Sequence, residues 1–112
     1  MKLSVALCTY NGEHYLKEQI DSILNQTIEV HEIVVCDDNS IDTTFAILKE
    51  YETNYPLLFT IIKNEKSLGT IKNFEKAISL TSGDLIFLSD QDDVWYSNKV
   101  ETILSFYKQN KA

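Results

Sequence analysis

The sequence predicts an α/β fold, a Rossmann-like three-layer sandwich with a mainly parallel sheet. Four short apolar runs alternate with four longer segments whose apolar residues recur at helical spacing, and no linker or low-complexity stretch separates them. Strands that alternate with helices of this length pair in parallel through right-handed crossovers, so helices should cover both faces of the sheet. We expect the strand order 3-2-1-4, in which the first and fourth strands are neighbours.

Composition indicates one globular domain. The 112 residues, 44% of them hydrophobic, suffice for one buried core. A net charge of −7 argues against a nucleic-acid partner, because nucleic-acid-binding proteins concentrate positive charge on one face. Apolar runs such as 85–88 are far shorter than the roughly 18 to 20 residues that span a bilayer, and the first residues lack a secretory cleavage site. We expect a cytoplasmic protein whose two cysteines, Cys8 and Cys36, are buried free thiols.

The first strand is predicted over 3–9 and the first helix over about 13–25. The nearly continuous apolar run at 3–9 is typical of a buried strand, and turn residues follow it at 10–12. An apolar stripe at the spacing i, i+4, i+7 and i+8 then predicts an amphipathic helix: Leu16, Ile20, Ile23 and Leu24.

The second strand is predicted over 32–37, where β-branched and apolar residues dominate. A helix should follow, with Ser40 or Asp42 as its N-cap, and Pro56 prevents its continuation. Its stripe is Thr44, Ile47, Leu48, Tyr51 and Tyr55.

The third strand is predicted over 58–62 and the fourth over 84–89. The helix between them should end near Gly83, which suits the position after a helix. Ser97 can cap a last helix, and Lys108 and Lys111 fall near its C-terminal end, where positive charge is favourable. The stripes of these two helices are Phe74, Ala77, Ile78 and Thr81, and Val100, Ile103, Leu104 and Tyr107.

Polar residues follow each predicted strand, and in a parallel sheet these strand ends lie along one edge, where ligands bind. They are Thr9-Tyr10-Asn11, Asp37-Asp38-Asn39-Ser40, Asn64 and Asp90-Gln91-Asp92-Asp93. The predicted strand order places Asn11 close to the acidic stretch and Asp38 one strand further away. Because unpaired carboxylates repel one another, Asp90, Asp92 and Asp93 together predict a divalent cation.

Several of these residues also have simpler structural interpretations. Asp38-Asn39-Ser40 could be a turn and helix cap, and the acidic stretch could be a solvated turn. Tyr10 could be a packing aromatic or a platform on which a base stacks. Lys72 and Asn73 could lie on a solvated helix face or, for Lys72, could face phosphate.

Five motifs follow one another along the chain: Val5–Gly12, Glu18–Thr27, Asp37–Thr44, the positions Asn64, Gly69, Lys72 and Asn73, and Asp90–Trp95. Taken in this order they resemble the N-terminal, nucleotide-sugar-binding half of the inverting family 2 glycosyltransferases, which have a GT-A type fold. The sequence of the acidic motif is most similar to that of bacterial rhamnosyltransferase-type enzymes.

The resemblance implies a nucleotide-sugar site and a Mn²⁺ or Mg²⁺ cofactor. Asp38 would accept the ring N–H of a pyrimidine, and Asp90, with Gln91 beside it, would contact the ribose or a metal-bound water. Asp92 would bind the metal ion that bridges the diphosphate, where a hard cation stabilises the leaving group as a Lewis acid. The implied residues near the base, the ribose and the rest of the donor are Thr9, Tyr10, Asn11 and Lys72.

The implied activity is metal-dependent sugar transfer from a UDP- or dTDP-sugar to a hydroxyl of a saccharide or lipid-linked acceptor, in bacterial cell-surface polysaccharide synthesis. Residues 1–112 would supply the donor-binding part and stop before the acceptor half, through which the enzyme could associate peripherally with a membrane. The alternatives are a catalytically silent nucleotide- and metal-binding module and a receiver-like signalling domain. The receiver pattern fits poorly, since receivers place paired acids after the first strand.

We predict that the isolated chain binds a nucleoside diphosphate but transfers sugar very slowly or not at all. No residue in it matches the family's catalytic base, which is expected beyond residue 112, and general-base catalysis needs a carboxylate within hydrogen-bond reach of the acceptor. A transfer assay with an acceptor supplied tests this, and appreciable turnover would contradict it.

Overall fold

The computed structural model describes residues 1–110, which form four strands and four helices in strict alternation. The elements are β1 (Leu3–Thr9), α1 (Leu16–Leu24), β2 (Glu32–Asp37), α2 (Thr44–Asn54), β3 (Phe59–Lys63), α3 (Thr70–Leu80), β4 (Leu85–Ser89) and α4 (Lys99–Gln109). Within these residues no helix has the length and apolar composition needed to cross a membrane. Lys111, expected near the end of the last helix, lies outside the described residues.

The four strands form one sheet in the order β3-β2-β1-β4, and each neighbouring pair is parallel. Thr9 at the end of β1 pairs in register with Asp37 at the end of β2, and Leu7 pairs with Ser89 at the end of β4. The predicted fold class and strand order are therefore confirmed. The polar segments that follow the strands meet at the C-terminal edge of the sheet.

Two apolar layers cover the sheet, one on each face. On one face Leu7 and its neighbours pack with Ile20 of α1, Leu48 of α2 and Val100 of α4. On the other face the smaller residues of β1 and β2 pack under Ala77 of α3. The alternation of side chains along each strand produces this division and completes the three-layer sandwich.

The first residues of the helices differ from the predictions where hydrogen bonds in the preceding loop determine where the helix begins. The turn at residue 12 delays α1, because the Gly12 carbonyl accepts the N–H groups of both Tyr15 and Leu16. The prediction that Ser40 or Asp42 is the N-cap of α2 is wrong, because Thr43 occupies that position. Asp42, one residue earlier, still accepts the Thr44 N–H on its Oδ1 at 2.9 Å. The prediction that Ser97 caps α4 is wrong: Asn98 occupies the N-cap position without a side-chain bond.

Gly83 is required by close packing rather than by a helix end. Helix α3 ends at Leu80, and Thr81 occupies the C-cap position in an extended conformation. A Cβ built on Gly83 would lie 2.9 Å from the backbone nitrogen of Ser4, closer than real Cβ contacts. The chain before β4 therefore passes directly against the start of β1.

We predict that Gly83→Ala lowers the free energy of unfolding by about 1–3 kcal/mol, since the backbone of a central strand cannot move away without strain. Urea denaturation at pH 7 measures the change in midpoint. Gly12→Ala is the matched control, because a Cβ there would meet Gln91 at an ordinary 3.5 Å. Equal losses in both variants would contradict the steric explanation.

Candidate functional site

A cavity of about 240 Å³ lies at the C-terminal edge of the sheet, where β1, β2 and β4 end and α3 begins. It is lined by Cys8, Thr9, Tyr10, Asp38, Thr70, Asn73, Asp90 and Gln91. Five predicted site residues are in this set: Thr9, Tyr10, Asp38, Asp90 and Gln91. Asn11, Lys72 and Asp92 are outside it.

Asp37, which sequence reasoning gave no role, joins the ends of β1 and β2. Its side chain is fully buried and its Oδ1 accepts the hydroxyls of Thr9 at 2.7 Å and Ser40 at 2.6 Å. Its Oδ2 accepts the backbone N–H of Ser40 at 3.0 Å. The three bonds stabilise a carboxylate that burial alone would penalise.

Asn11 fastens the loop after β1 to the loop after β2. Its backbone N–H donates to Ser40 Oγ at 2.8 Å, and its Oδ1 accepts the Ile41 N–H at 2.9 Å. The residue has a positive φ of 47°, a conformation that Asn tolerates better than most residues. The predicted strand order had suggested that Asn11 lies close to the acidic stretch. Its hydrogen bonds instead turn it toward the segment after β2.

Asp38 holds the loop between β3 and α3. Although nearly buried, its carboxylate accepts four hydrogen bonds of 2.7 to 3.1 Å. Burial opposes ionisation, but the bonds outweigh it and lower the pKa of Asp38. The donors are Asn64 Nδ2, Ser67 Oγ and the backbone N–H groups of Leu68 and Gly69. The interpretation as a simple turn and cap does not account for this network.

Asn73 extends the same network beneath the cavity. It is nearly buried, accepts Asn64 Nδ2 at 2.8 Å and donates to the Cys36 carbonyl at 2.9 Å. Lys76 donates to Asn64 Oδ1 at 2.8 Å. The solvated-face alternative is therefore wrong for Asn73, whereas Lys72 is exposed. The early position of Asn73 in its helix, four residues after Gly69, was the available signal.

Tyr10 and Cys8 give the cavity an apolar wall and floor. Tyr10 is half-exposed at the cavity, so it does not pack in the core. Burial, with the charges of Cys36, Asp90 and Asp38, raises the pKa of the Cys8 thiol to about 12. A thiol that stays protonated at neutral pH is a poor nucleophile. The wall supplied by Tyr10 suits the flat face of a base.

The segment 90–98 between β4 and α4, here called the acidic loop, separates its three carboxylates. Asp90 Oδ1 accepts the Gln91 N–H at 2.7 Å, and Gln91 Oε1 accepts the Tyr10 N–H at 3.0 Å. Asp93 does not line the cavity; its Oδ2 accepts the Trp95 Nε1–H at 3.2 Å. Asp92 is exposed, with a positive φ of 68°.

The expected cluster of three carboxylates around one cation is not formed. The described part of the chain contains no group of three or more His, Cys, Asp or Glu side chains placed to hold a metal ion. The bonding of Asp93 to Trp95, with Lys99 Nζ 3.9 Å from the same oxygen, explains its loss from the cluster. The exposed carboxylates of Asp90 and Asp92 fit a weaker site, completed by phosphate oxygens and water, of the kind that Mg²⁺ and similar hard cations use.

We predict that Asp38→Asn lowers the free energy of unfolding by about 1–3 kcal/mol at pH 7, because two backbone N–H groups lose a charged acceptor. The lowered pKa means that the stabilisation is complete above the unfolded-state value near 4 and is lost as pH falls through the folded-state value. The difference between wild type and variant should therefore shrink below about pH 4. Urea denaturation across pH measures it.

The exposed carboxylate Asp84 provides the matched control for that experiment, since it accepts one bond, from the Lys2 N–H. Asp84→Asn should lower the free energy of unfolding by less than Asp38→Asn does at pH 7. A pH-independent gap between Asp38→Asn and wild type would show that ionisation of Asp38 contributes nothing.

Comparison with known proteins agrees with this geometry. The model of the family described as glycosyl transferase family 2 matches residues 4–112. The chain is 36% identical over 110 residues to the dTDP-rhamnosyl transferase RfbG of Shigella flexneri. The aligned region covers 95% of this chain and 38% of that protein. The chain thus spans about two fifths of the length of that relative.

Two solved structures share the fold. S. aureus TarS 1-349 in complex with UDP-GlcNAc superimposes with a TM-score of 0.86 and 29% identity, over 97% of this chain and 32% of that one. The mannosyltransferase PcManGT from Pyrobaculum calidifontis, in complex with GDP-Man and Mn²⁺, gives a TM-score of 0.85 at 22% identity, over 95% of this chain and 32% of that one. Its likeness concerns the fold alone.

The family model covers nearly the whole chain, residues 4–112. The chain belongs to glycosyl transferase family 2.

Proposed function

We propose that this chain is the donor-binding part of a glycosyltransferase and binds a nucleoside-diphosphate sugar in the cavity at the sheet edge. The observation that carries the proposal is the meeting of Asp38, Tyr10 and the Asp90–Gln91 pair around one cavity, although they follow three different strands. Family membership supports it and leaves no support for the receiver-like alternative.

The base would occupy the side of the cavity that Asp38 and Tyr10 line. Both Asp38 oxygens already accept two hydrogen bonds each, which fills the four sites of a carboxylate. A ring N–H would therefore replace one donor, and the Ser67 hydroxyl is the one that can rotate away most easily. Thr9 is held beneath this side by its bond to Asp37.

The diphosphate would occupy the side formed by the acidic loop. We propose that Asp92, with help from Asp90, holds a Mn²⁺ or Mg²⁺ ion there. When bound, such an ion supplies Lewis-acid stabilisation of the charge on the leaving diphosphate. Asp90 is oriented for this by its bond to the Gln91 N–H, and Gln91 by its bond to the Tyr10 N–H. Lys72, exposed on the first turn of α3, would lie near the donor.

The proposed reaction of the whole enzyme is transfer of the sugar to a hydroxyl of a saccharide or lipid-linked acceptor in cell-surface polysaccharide synthesis, in the cytoplasm or at the adjoining membrane surface. A UDP- or dTDP-sugar donor is supported by the named substrates of the relative RfbG and of the TarS complex. A catalytically silent binding module would bind the same donor, so the transfer assay distinguishes the two.

We predict that UDP or dTDP stabilises the chain against heat and that Mn²⁺ increases this stabilisation. A ligand at about 100 times its dissociation constant adds roughly 2.7 kcal/mol to the free energy of unfolding. Asp92→Asn should abolish the increase due to Mn²⁺, because it removes the charge while Asn tolerates the positive φ of this position. Thermal unfolding with UDP, dTDP and GDP, each with and without Mn²⁺, measures these effects.

Asp84→Asn serves as the charge-matched control, since Asp84 precedes β4 and lies at the opposite end of that strand from the acidic loop. It should leave the increase due to Mn²⁺ unchanged. Absence of stabilisation by every nucleotide, with and without metal, would contradict the donor-site proposal.

A further inference from the structure

The acidic loop is attached to α1 by three polar side chains on one face of that helix. Gln19, Ser22 and Gln26 are separated by three and four residues, the spacing that places side chains on the same side of a helix. Gln19 is 1% exposed and Gln26, just beyond the helix end, is 6% exposed. Buried amides are costly unless they form hydrogen bonds, so their partners indicate why they are there.

Gln19 holds the beginning of the loop. Its Nε2 donates to Ser89 Oγ at 3.0 Å and, through a short bond, to the backbone carbonyl of Asp90. The β4 ladder ends at Ser89, and beyond it the Asp90 carbonyl accepts the Gln19 amide together with the Asp93 N–H at 3.2 Å. One buried amide thereby fixes the backbone of a residue whose side chain faces the cavity.

Ser22 and Gln26 hold the end of the loop. Ser22 Oγ accepts the Trp95 N–H at 3.0 Å while it donates to the Gln19 carbonyl. Gln26 Nε2 donates to the Tyr96 carbonyl at 2.7 Å, and its Oε1 accepts the N–H of Val100 at 3.0 Å. This last bond replaces the capping side chain that α4 lacks at its N-cap position.

Between these attachments Asp92 adopts the left-handed backbone conformation. Asp enters this conformation more readily than most residues other than Gly, but the conformation still costs free energy and persists where the surrounding structure imposes it. The attachments at Asp90 on one side and at Trp95 and Tyr96 on the other supply that constraint. They leave the Asp92 side chain exposed, so that it is accessible to a ligand.

We propose that Gln19, Ser22 and Gln26 are positioning residues, which hold the acidic loop in the conformation that presents Asp90 and Asp92 to a metal-bound diphosphate. The proposal rests on the proposed function and adds to it a second set of residues, remote from the ligand. Helix α1 then has two faces with separate roles, an apolar one that packs on the sheet and a polar one that orients the site.

Gln19→Met tests the proposal, because Met fills similar space and donates no hydrogen bond. We expect nucleoside diphosphate binding without metal to change by less than about twofold, and the enhancement by Mn²⁺ to fall by about threefold to tenfold, the range that corresponds to one lost hydrogen bond. Emission from Trp95, the single tryptophan, should shift to longer wavelength as the loop loosens. A variant that only lowered stability would not reduce the enhancement by Mn²⁺ while leaving metal-free binding unchanged.

Ser4→Ala is the matched control: Ser4 is fully buried and its hydroxyl donates to Glu32 at 2.7 Å, away from the loop. It should lower stability without changing the enhancement by Mn²⁺. Should Gln19→Met not fold, Ser22→Ala removes the acceptor of the Trp95 N–H and is expected to give the same result.

The outcomes separate this proposal from the proposed function. If the wild-type chain binds nucleotide and Gln19→Met keeps the full enhancement by Mn²⁺, the positioning role is overturned while the donor site stands. The same follows if Ser4→Ala loses as much of the enhancement by Mn²⁺ as Gln19→Met does. Absence of nucleotide binding by the wild-type chain would overturn the donor site and this proposal with it.

Discussion

The site depends on one buried carboxylate, that of Asp37. It lies where β1 and β2 end in register, and hydroxyls of both strand ends and the backbone of Ser40 satisfy its oxygens. Leaving a buried carboxylate unpaired costs far more than these bonds return, so the loops after both strands adopt the conformations that supply the donors. The Ser40 hydroxyl in turn accepts the Asn11 N–H, which carries the constraint to the loop after β1.

The neighbouring Asp38 performs a different task because successive side chains alternate between the faces of a sheet. Asp37 points to the face covered by α1 and α2 and binds only groups of the protein core. Asp38 points to the face covered by α3, where it organises the loop that begins at Asn64 and also reaches the cavity. Two adjacent aspartates thus separate a structural role from a candidate binding role.

The fold could be predicted because its signals are periodic and local. Apolar runs and helical stripes identified all eight elements, and the strand order was the one expected for the Rossmann-like class that they indicate. The network contacts could not be predicted, since a buried Gln19 on a helix has the same sequence appearance as a solvated one. The direction of Asp93 also depended on a partner, Trp95, whose indole N–H needed an acceptor. Spacing places a residue on a loop, but the hydrogen-bond partners decide which way its side chain turns.

Charge balance gives the strongest argument for a cation at this site. The sequence contains ten lysines and no arginine, so no side chain of the chain can form the bidentate hydrogen bonds that Arg makes with phosphate. No residue that lines the described cavity is basic, whereas Asp38 and Asp90 both line it. Lys76 is bonded to Asn64 beneath the loop. A diphosphate entering such a cavity would meet carboxylates of the same sign, and their mutual repulsion rises as water is excluded. Binding of so charged a group would become favourable if a divalent ion neutralised part of the phosphate charge, which is the role proposed above for an ion held by the exposed carboxylate of Asp92.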